Sequence, residues 1–212
     1  MTDATSKVLR EGSTRKRADI LAAARDLFAS EGFDRTSVDA ISARAGVSKR
    51  TVYDYFGDKQ ALLGAVIQGL GESLMAAIRT AIAEELAQFD DLEEALVSFT
   101  MRIASGTMGS SDYATLIQLV NKDAHQLPGA ELDDWFDTAP EDAIADRFAD
   151  LAQRGLLEAP DPRLAADHFV ALAFLGVTNA RKSAIRPLDD SAIRKSIVDG
   201  VRAFLRAYAP RS

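Results

Sequence analysis

The sequence predicts an all-α protein, and three observations support this fold class. Apolar residues recur at helical spacing along most of the 212 residues, as in the run Ile20, Ala24, Leu27 and Phe28. Glycine and proline interrupt this periodicity at points where helices are expected to end. No segment shows a sustained alternation of β-branched residues, so we expect no sheet.

The first 57 residues predict an arm followed by three short helices. Residues 1–13 mix polar and charged side chains without a period, which indicates a flexible N-terminal arm. The first helix is expected to begin after the N-cap Thr14 and to end at Gly32, which suits a left-handed C-cap.

Two further helices follow after short breaks. The segment Thr36-Ser37-Val38-Asp39 has the pattern of a capping box and is expected to open a helix that Gly46 ends. Ser48 is the expected N-cap of the next helix, which runs through Phe56. Two short helices separated by a tight turn predict a helix-turn-helix unit.

The remainder of the chain is helical in period as well. Asp58 is expected to cap a fourth helix that continues to about Gln88. Further helices are expected near 91–107, 110–127, 131–155, 161–185 and 189–208, which makes about nine in all. We therefore divide the chain into the arm (1–13), a helix-turn-helix domain (14–57) and a C-terminal helical domain (58–212).

Composition excludes several classes of protein. The absence of cysteine excludes a disulfide framework, a thiolate nucleophile and a Cys-ligated zinc site. No stretch approaches 18 uninterrupted apolar residues, and the first thirty residues lack the apolar core of a secretory signal. We therefore expect a cytoplasmic protein without a membrane span.

The distribution of charge favours a nucleic-acid partner for the N-terminal part. Residues 1–59 hold 11 Lys and Arg against 9 Asp and Glu, whereas residues 60–212 hold 14 against 23. In a helix-turn-helix the second helix lies in the major groove and offers its N-terminal residues to base edges. In that helix Val52 and Phe56 can pack inward, which leaves the polar, basic and aromatic positions Ser48, Lys49, Arg50, Thr51, Tyr53 and Tyr55 outside.

The segment from Gly46 to Leu63, GVSKRTVYDYFGDKQALL, resembles the DNA-binding signature of the TetR family of regulators. The upstream Ile20–Phe28 helix and the Gly-Phe-x-x-Thr-Ser-Val segment at Gly32–Val38 match the same pattern. The resemblance covers about fifty contiguous residues and is far more specific than an isolated helix-turn-helix. It implies binding to a double-stranded DNA operator as a homodimer, with a small-molecule effector bound in the C-terminal domain.

The resemblance also implies roles for matching residues. Thr36 or Ser37 would hold a phosphate at the N-terminus of the second helix. Base edges would be met by Lys49, Arg50 and Thr51, next to the capping Ser48. The sugar-phosphate backbone would be contacted by Tyr53, Tyr55 and Lys59. Asp54 lies four residues after Arg50, and a pairing between the two would cast doubt on Arg50 as a base reader.

The C-terminal part resembles the family in general plan, and residues 116–180 look like the AefR-like subgroup of C-terminal domains. Such a plan implies an effector pocket, although each candidate taken separately is better explained as ordinary core. The candidates for an apolar site with a few polar anchors are Phe99, Ile103, Met108, Leu116, Val120, Asn121, His125, Trp135, Phe136 and Phe148, with Asn179 as a further polar group.

The last two predicted helices are expected to form the dimer interface. The segment 165–177 is apolar nearly all round and therefore needs cover on several sides. The candidate interface residues are Phe169, Ala173, Gly176, Val177, Ile193, Ile197, Val201 and Phe204. The alternative is that these helices simply form the core of a monomer.

An enzymatic function has little support in the sequence. The chain has no Gly-rich phosphate loop, no H-E-x-x-H and no G-x-S-x-G motif, and its two histidines stand alone. The acidic group formed by Asp133, Asp134, Asp137, Glu141 and Asp142 is typical of a solvated helix face. We therefore expect no cofactor and no metal. The expected function is that of a ligand-released repressor, and the alternative is an activator or a ligand-independent DNA-binding dimer.

Overall fold

The structure is a computed structural model and describes residues 2–127, 139–174, 177–178 and 190–210. Within these ranges nine α-helices are present and strands are absent, which confirms the all-α fold class. The helices are α1 (Thr2–Glu31), α2 (Val38–Ala45), α3 (Lys49–Phe56), α4 (Lys59–Glu85), α5 (Leu92–Met101), α6 (Ser111–Asp123), α7 (Ala139–Gln153), α8 (Pro162–Phe169) and α9 (Asp190–Tyr208). Trp135, Phe136, Gly176 and Asn179 lie outside the described residues, as do Asp133, Asp134 and Asp137.

Two π-helical turns continue regular helices in the C-terminal half of the chain. Arg102–Thr107 extends α5, and Val170–Phe174 extends α8, while a short 3-10 turn at Ala124–Gln126 follows α6. The expected helices near 91–107 and 110–127 are therefore present with irregular ends. The expected arm differs from the structure, because α1 begins at Thr2 and residues 2–13 continue the same helix.

The described contacts divide the chain into two compact units. The first unit comprises residues 1–72 and 111–132, and the second comprises residues 73–110 and 133–212. The sequence placed the domain boundary at residues 57 and 58 and assigned α6 to the C-terminal domain. In the structure α6 packs on α1, where Arg25 Nη1 donates to Asp112 Oδ1 (3.1 Å) and Gln118 Nε2 donates to the Ala29 carbonyl (2.8 Å).

The first unit has a core built from one face of each helix of the helix-turn-helix. Ile20 and Phe28 of α1, Ile41 of α2 and Val52 of α3 are at most 2% exposed. The first half of α4 adds Leu62, Leu63 and Ile67, all fully buried. Helix α4 is long and apolar enough to cross a membrane by length and composition, but these side chains pack inside the chain.

The core of the second unit centres on a cluster of aromatic rings. Phe169 lies between Phe99, Phe148 and Phe204, with ring centroids 6.2, 5.4 and 5.2 Å away. Gly200 allows α9 to approach the π-helical turn closely, because a Cβ atom at this position would lie 2.2 Å from the Leu172 carbonyl oxygen. Backbone proximity of this kind requires glycine.

Candidate nucleic-acid interface

Side chains at both helix N-termini of the helix-turn-helix fix where α2 and α3 begin. The Ala40 N–H donates to Ser37 Oγ (3.1 Å), and the Thr51 N–H donates to Ser48 Oγ (3.1 Å). Between the two helices Gly46 adopts the left-handed conformation, with φ of 65°, as the sequence predicted. These caps place the start of α3 at an exposed end of the unit.

The outer surface of α3 has the chemistry expected of a DNA-reading helix. Tyr53 is 43% exposed, and the side chain of Arg50 is 90% exposed. Lys49 and Ser48 are also exposed, whereas Val52 is buried against the core. The predicted division of α3 therefore agrees with the structure for Val52 on the inner face and for Ser48, Lys49, Arg50 and Tyr53 on the outer face, whereas Thr51 and Tyr55 are half-buried.

Both basic residues at the start of α3 have acidic neighbours. Lys49 Nζ donates to Asp39 Oδ2 of α2 at 2.9 Å, and this hydrogen bond raises the pKa of the Lys49 ammonium. Arg50 Nε lies 3.9 Å from Asp54 Oδ2, which is the i, i+4 pairing considered from the sequence. The Arg50 pair is long and highly exposed, so it restrains the guanidinium weakly.

Tyr55 lies partly inside the unit and is bonded to α1. Its hydroxyl oxygen is 2.8 Å from Ser13 Oγ, and the hydroxyl donates to the Ser13 carbonyl (3.1 Å). The guanidinium of Arg17 lies 5.4 Å from the centroid of the neighbouring Phe56 ring. The residues that precede Arg15 thus help to hold the end of α3, which the sequence did not indicate because Ser13 was assigned to the arm.

Two residues expected to contact phosphate have internal hydrogen-bond partners in the structure. Thr36 is 1% exposed, and its hydroxyl lies within hydrogen-bonding distance of the Leu27 and Gly32 carbonyls, so of the Thr36/Ser37 pair only Ser37 is exposed. Lys59 Nζ donates to the carbonyls of Phe33 (2.8 Å) and Thr36 (3.1 Å) and lies 4.1 Å from the Phe33 ring centroid. Lys59 therefore stabilises the connection between α1 and α2.

A further ion pair braces the first two helices. Arg44 Nη2 of α2 donates to Asp26 Oδ2 of α1 at 2.7 Å, and this bond holds the pKa of the Asp26 carboxyl below its usual range. Arg25 also lies beside Asp26, with Nη2 3.3 Å from Oδ1. The orientation of α2 relative to α1 thus depends on charged side chains as well as on apolar packing.

The expected effector-binding residues fall into two groups. Phe99, Ile103 and Phe148 are buried in the core of the second unit, and Met108 packs against that core. Leu116, Val120, Asn121 and His125 belong to the first unit, where Leu116 is buried and both polar residues are exposed. Their role in ligand binding remains a prediction.

A buried carboxylate in α6 was missed from the sequence. Asp123 is 9% exposed, and among the described residues its Oδ2 atom has no hydrogen-bond partner. It also lies at the C-terminal end of α6, where the helix dipole disfavours a negative charge. The sequence pattern does not distinguish Asp123 from the exposed polar residues beside it.

The candidate interface residues lie inside their own chain. Phe169, Ala173, Val177, Ile197, Val201 and Phe204 are fully buried, and Ile193 is 4% exposed. Fully buried side chains have no surface left for a second copy to cover. Among the described residues of this region, the large apolar side chains that remain outside are Leu164 (47% exposed) and Leu172 (41% exposed), on α8 and its π-helical extension.

Comparison with known proteins identifies the evolutionary group of this fold. The sequence pattern described as "Bacterial regulatory proteins, tetR family" matches residues 20–66, and that of the "AefR-like transcriptional repressor, C-terminal domain" matches residues 94–210. The chain belongs to the TetR family. Together the two matches include the whole of α2, α3, α6, α7, α8 and α9.

Relatives along the whole chain agree with this assignment. The chain is 30% identical over 191 residues to the HTH-type transcriptional activator FasR of Mycolicibacterium smegmatis. The aligned region covers 86% of this chain and 80% of FasR. A TetR-family regulator structure from Mesorhizobium loti superposes with a TM-score of 0.82 at 26% identity, covering 93% and 98% of the two chains. The Flavonoid-responsive Regulator FrrA superposes with a TM-score of 0.73 at 27% identity, covering 94% and 100%.

Membership of the TetR family makes this protein a DNA-binding transcriptional regulator. TetR-family regulators bind DNA operators, typically as homodimers that respond to small-molecule effectors, and they are generally not enzymes. That the exposed face of α3 is the DNA-binding surface of this chain stays a prediction.

Proposed function

We propose that this TetR-family regulator is a cytoplasmic repressor that a small, largely apolar molecule releases from a palindromic operator. The observation that carries this proposal is the bonding of α6 to α1 through Arg25–Asp112 and Gln118–Ala29. Helix α6 contains several of the residues expected to line an effector site, and α1 packs on the helix-turn-helix. A ligand that binds better to a shifted α6 would therefore favour a different α1 position by its differential affinity.

The first experiment measures binding to DNA from the intergenic region upstream of the gene. Gel-shift titrations at two salt concentrations give the affinity and its ionic component, since DNA affinity without a stated salt concentration is uninterpretable. We expect saturable binding that resists competitor DNA. Loss of all binding under competitor would contradict the assignment of an operator to this region.

The effector response is tested with flavonoids, because FrrA is described as flavonoid-responsive. The probe is naringenin, added to the operator complex, and the expected result is a lower operator affinity. The variant Asp112→Asn removes the charge that Arg25 contacts and should reduce this effect of the probe. Asp90→Asn is the matched control, since Asp90 is an exposed carboxylate in the second unit. An equal response in both variants would contradict the proposed role of the α1–α6 contact.

The proposed homodimer uses the outer face of α8 and its π-helical extension. Leu164, His168 and Leu172 are spaced by four residues, and all three are exposed in the single chain. Leu172→Asp should lower the mass measured by light scattering from that of a dimer to that of a monomer. Ile117→Asp is the control, because Ile117 is an equally exposed apolar residue (40%) on α6. An unchanged mass for Leu172→Asp would place the interface elsewhere.

An activator is the second candidate, and the relationship to FasR favours it because FasR is described as a transcriptional activator. DNA binding by itself does not distinguish the two outcomes. A promoter reporter measured with and without the gene separates them, because a repressor lowers expression and an activator raises it. A response that is the same at every effector concentration would favour the ligand-independent alternative.

A further inference from the structure

The charged side chains of the helix-turn-helix neutralise one another in the free protein. Lys49 is hydrogen-bonded to Asp39, and Arg44 is hydrogen-bonded to Asp26. Lys59 is occupied by two backbone carbonyls. Each of these three basic side chains therefore has a partner that a DNA phosphate would have to replace.

The Lys49–Asp39 pair lies on the surface expected to face DNA, and it is closer than the Arg50–Asp54 pair on the same surface. Lys49 is the first residue of α3, and Asp39 lies in the first turn of α2. Their side chains are 48% and 70% exposed, and the atoms are 2.9 Å apart. A phosphate that recruits Lys49 must therefore compete with a carboxylate already in hydrogen-bonding contact, and that carboxylate itself repels phosphate.

We propose that Asp39 weakens DNA binding by holding the Lys49 ammonium away from the phosphates. This inference rests on the proposed DNA-binding role of α3. Phosphates supply most of the contacts on non-operator DNA. While Lys49 stays paired with Asp39 it adds no phosphate contact, and the carboxylate itself repels the DNA backbone. Removing the charge of Asp39 should therefore add one phosphate contact.

The test uses Asp39→Asn, which removes the charge and keeps the size of the side chain. The probe is a fluorescent 30-bp duplex of random sequence, and anisotropy is measured across a series of salt concentrations. We expect Asp39→Asn to bind this duplex about fivefold more tightly at low salt, with a salt slope steeper by about 0.9 for each protomer that contacts the duplex, as one additional phosphate contact implies. Affinity for the operator should rise as well, because the same ammonium is released.

Two controls separate this mechanism from a general change of charge. Asp34→Asn makes the same change of charge at an exposed carboxylate in the α1–α2 connection and should leave the slope unchanged. In a Lys49→Met background, Asp39→Asn should no longer steepen the slope, as a double-mutant cycle requires of a pairwise interaction. Far-UV circular dichroism establishes that each variant is folded.

The possible outcomes are distinguishable. If the wild-type protein binds neither the operator nor the random duplex, the DNA-binding role of α3 itself fails. If the wild-type protein binds and Asp39→Asn has the same affinity and slope, the inference about Asp39 is wrong while the regulator assignment stands. The inference about Asp39 would also be overturned if Asp34→Asn raised the affinity and the salt slope equally. The same holds if Asp39→Asn raised them undiminished in the Lys49→Met background.

Discussion

Replacing Gly200 by alanine should destabilise the protein, although alanine is normally the better residue inside a helix. A Cβ atom at position 200 would lie 2.2 Å from the Leu172 carbonyl oxygen and 2.8 Å from the Leu172 carbonyl carbon. Contacts shorter than 3.0 Å are essentially never seen for Cβ atoms, so one backbone must move. Both neighbouring atoms belong to the backbone, and no side-chain rotation can relieve the contact.

The expected magnitude follows from two opposing effects. Overpacking in a well-packed region costs about 1–3 kcal/mol. The intrinsic gain of alanine over glycine in a helix is about 1 kcal/mol. Because both colliding atoms belong to the backbone, the cost should lie near the upper end of that range. We therefore expect a net loss of about 2 kcal/mol in the free energy of unfolding, which for a chain of this size lowers Tm by about 4–8 °C.

The assay is urea denaturation followed by far-UV circular dichroism, with Gly69→Ala as the matched control. Gly69 is an exposed glycine inside α4, and a Cβ atom there would meet nothing within 4 Å. The same substitution should therefore stabilise the protein by about 0.5–1 kcal/mol at position 69. If Gly200→Ala were as stable as the wild type or more so, the close approach of α9 to the π-helical turn would be refuted.

The remaining predictions concern charged groups of the first unit. Lys59→Met should lower the free energy of unfolding by about 2 kcal/mol, because two carbonyls lose a charged donor, and should leave the salt slope of DNA binding unchanged; a shallower slope would restore its phosphate role. Asp26→Asn should be less stable than the wild type at pH 7. Because the Arg44 bond lowers the pKa of Asp26 in the folded protein, that difference should begin to shrink as the pH falls to about 4, the usual pKa of an Asp, and should be lost as the pH falls through the lowered pKa; a difference that persists in stronger acid would refute the ion pair as its cause. Asp123→Asn should raise Tm, since it removes a buried charge at a helix C-terminus; a lower Tm would indicate that the carboxylate has a stabilising partner.

The sequence predicted the elements of the helix-turn-helix because the determinants are local. Ser37 and Ser48 cap the next helix through their own side chains, and Gly46 ends α2 in a conformation that glycine adopts without strain. The inward position of Val52 followed from helical periodicity alone. The family match across 20–66 reflects the same local pattern.

Roles that depend on distant partners were predicted less well. Lys59 was expected to contact phosphate, and only the folded chain shows that it lies beside the Phe33 and Thr36 carbonyls. The hydroxyl of Tyr55 bonds to Ser13, which is 42 residues away in sequence. No periodicity or spacing reports such a contact, because it depends on how α1 packs against α3.

The C-terminal helices also separate what the sequence determines from what only the tertiary structure decides. By itself the sequence determined that α8 and α9 each have an apolar face. Such a face is buried on folding because removing apolar surface from water is favourable. It did not determine what covers each face. Tertiary structure decided that Phe169, Ile197 and Phe204 pack within their own chain and that Leu164 and Leu172 remain outside. The hydrophobic effect is non-directional. An apolar face therefore shows that a helix must pack against something, whereas the packing of the whole chain decides which residues it contacts.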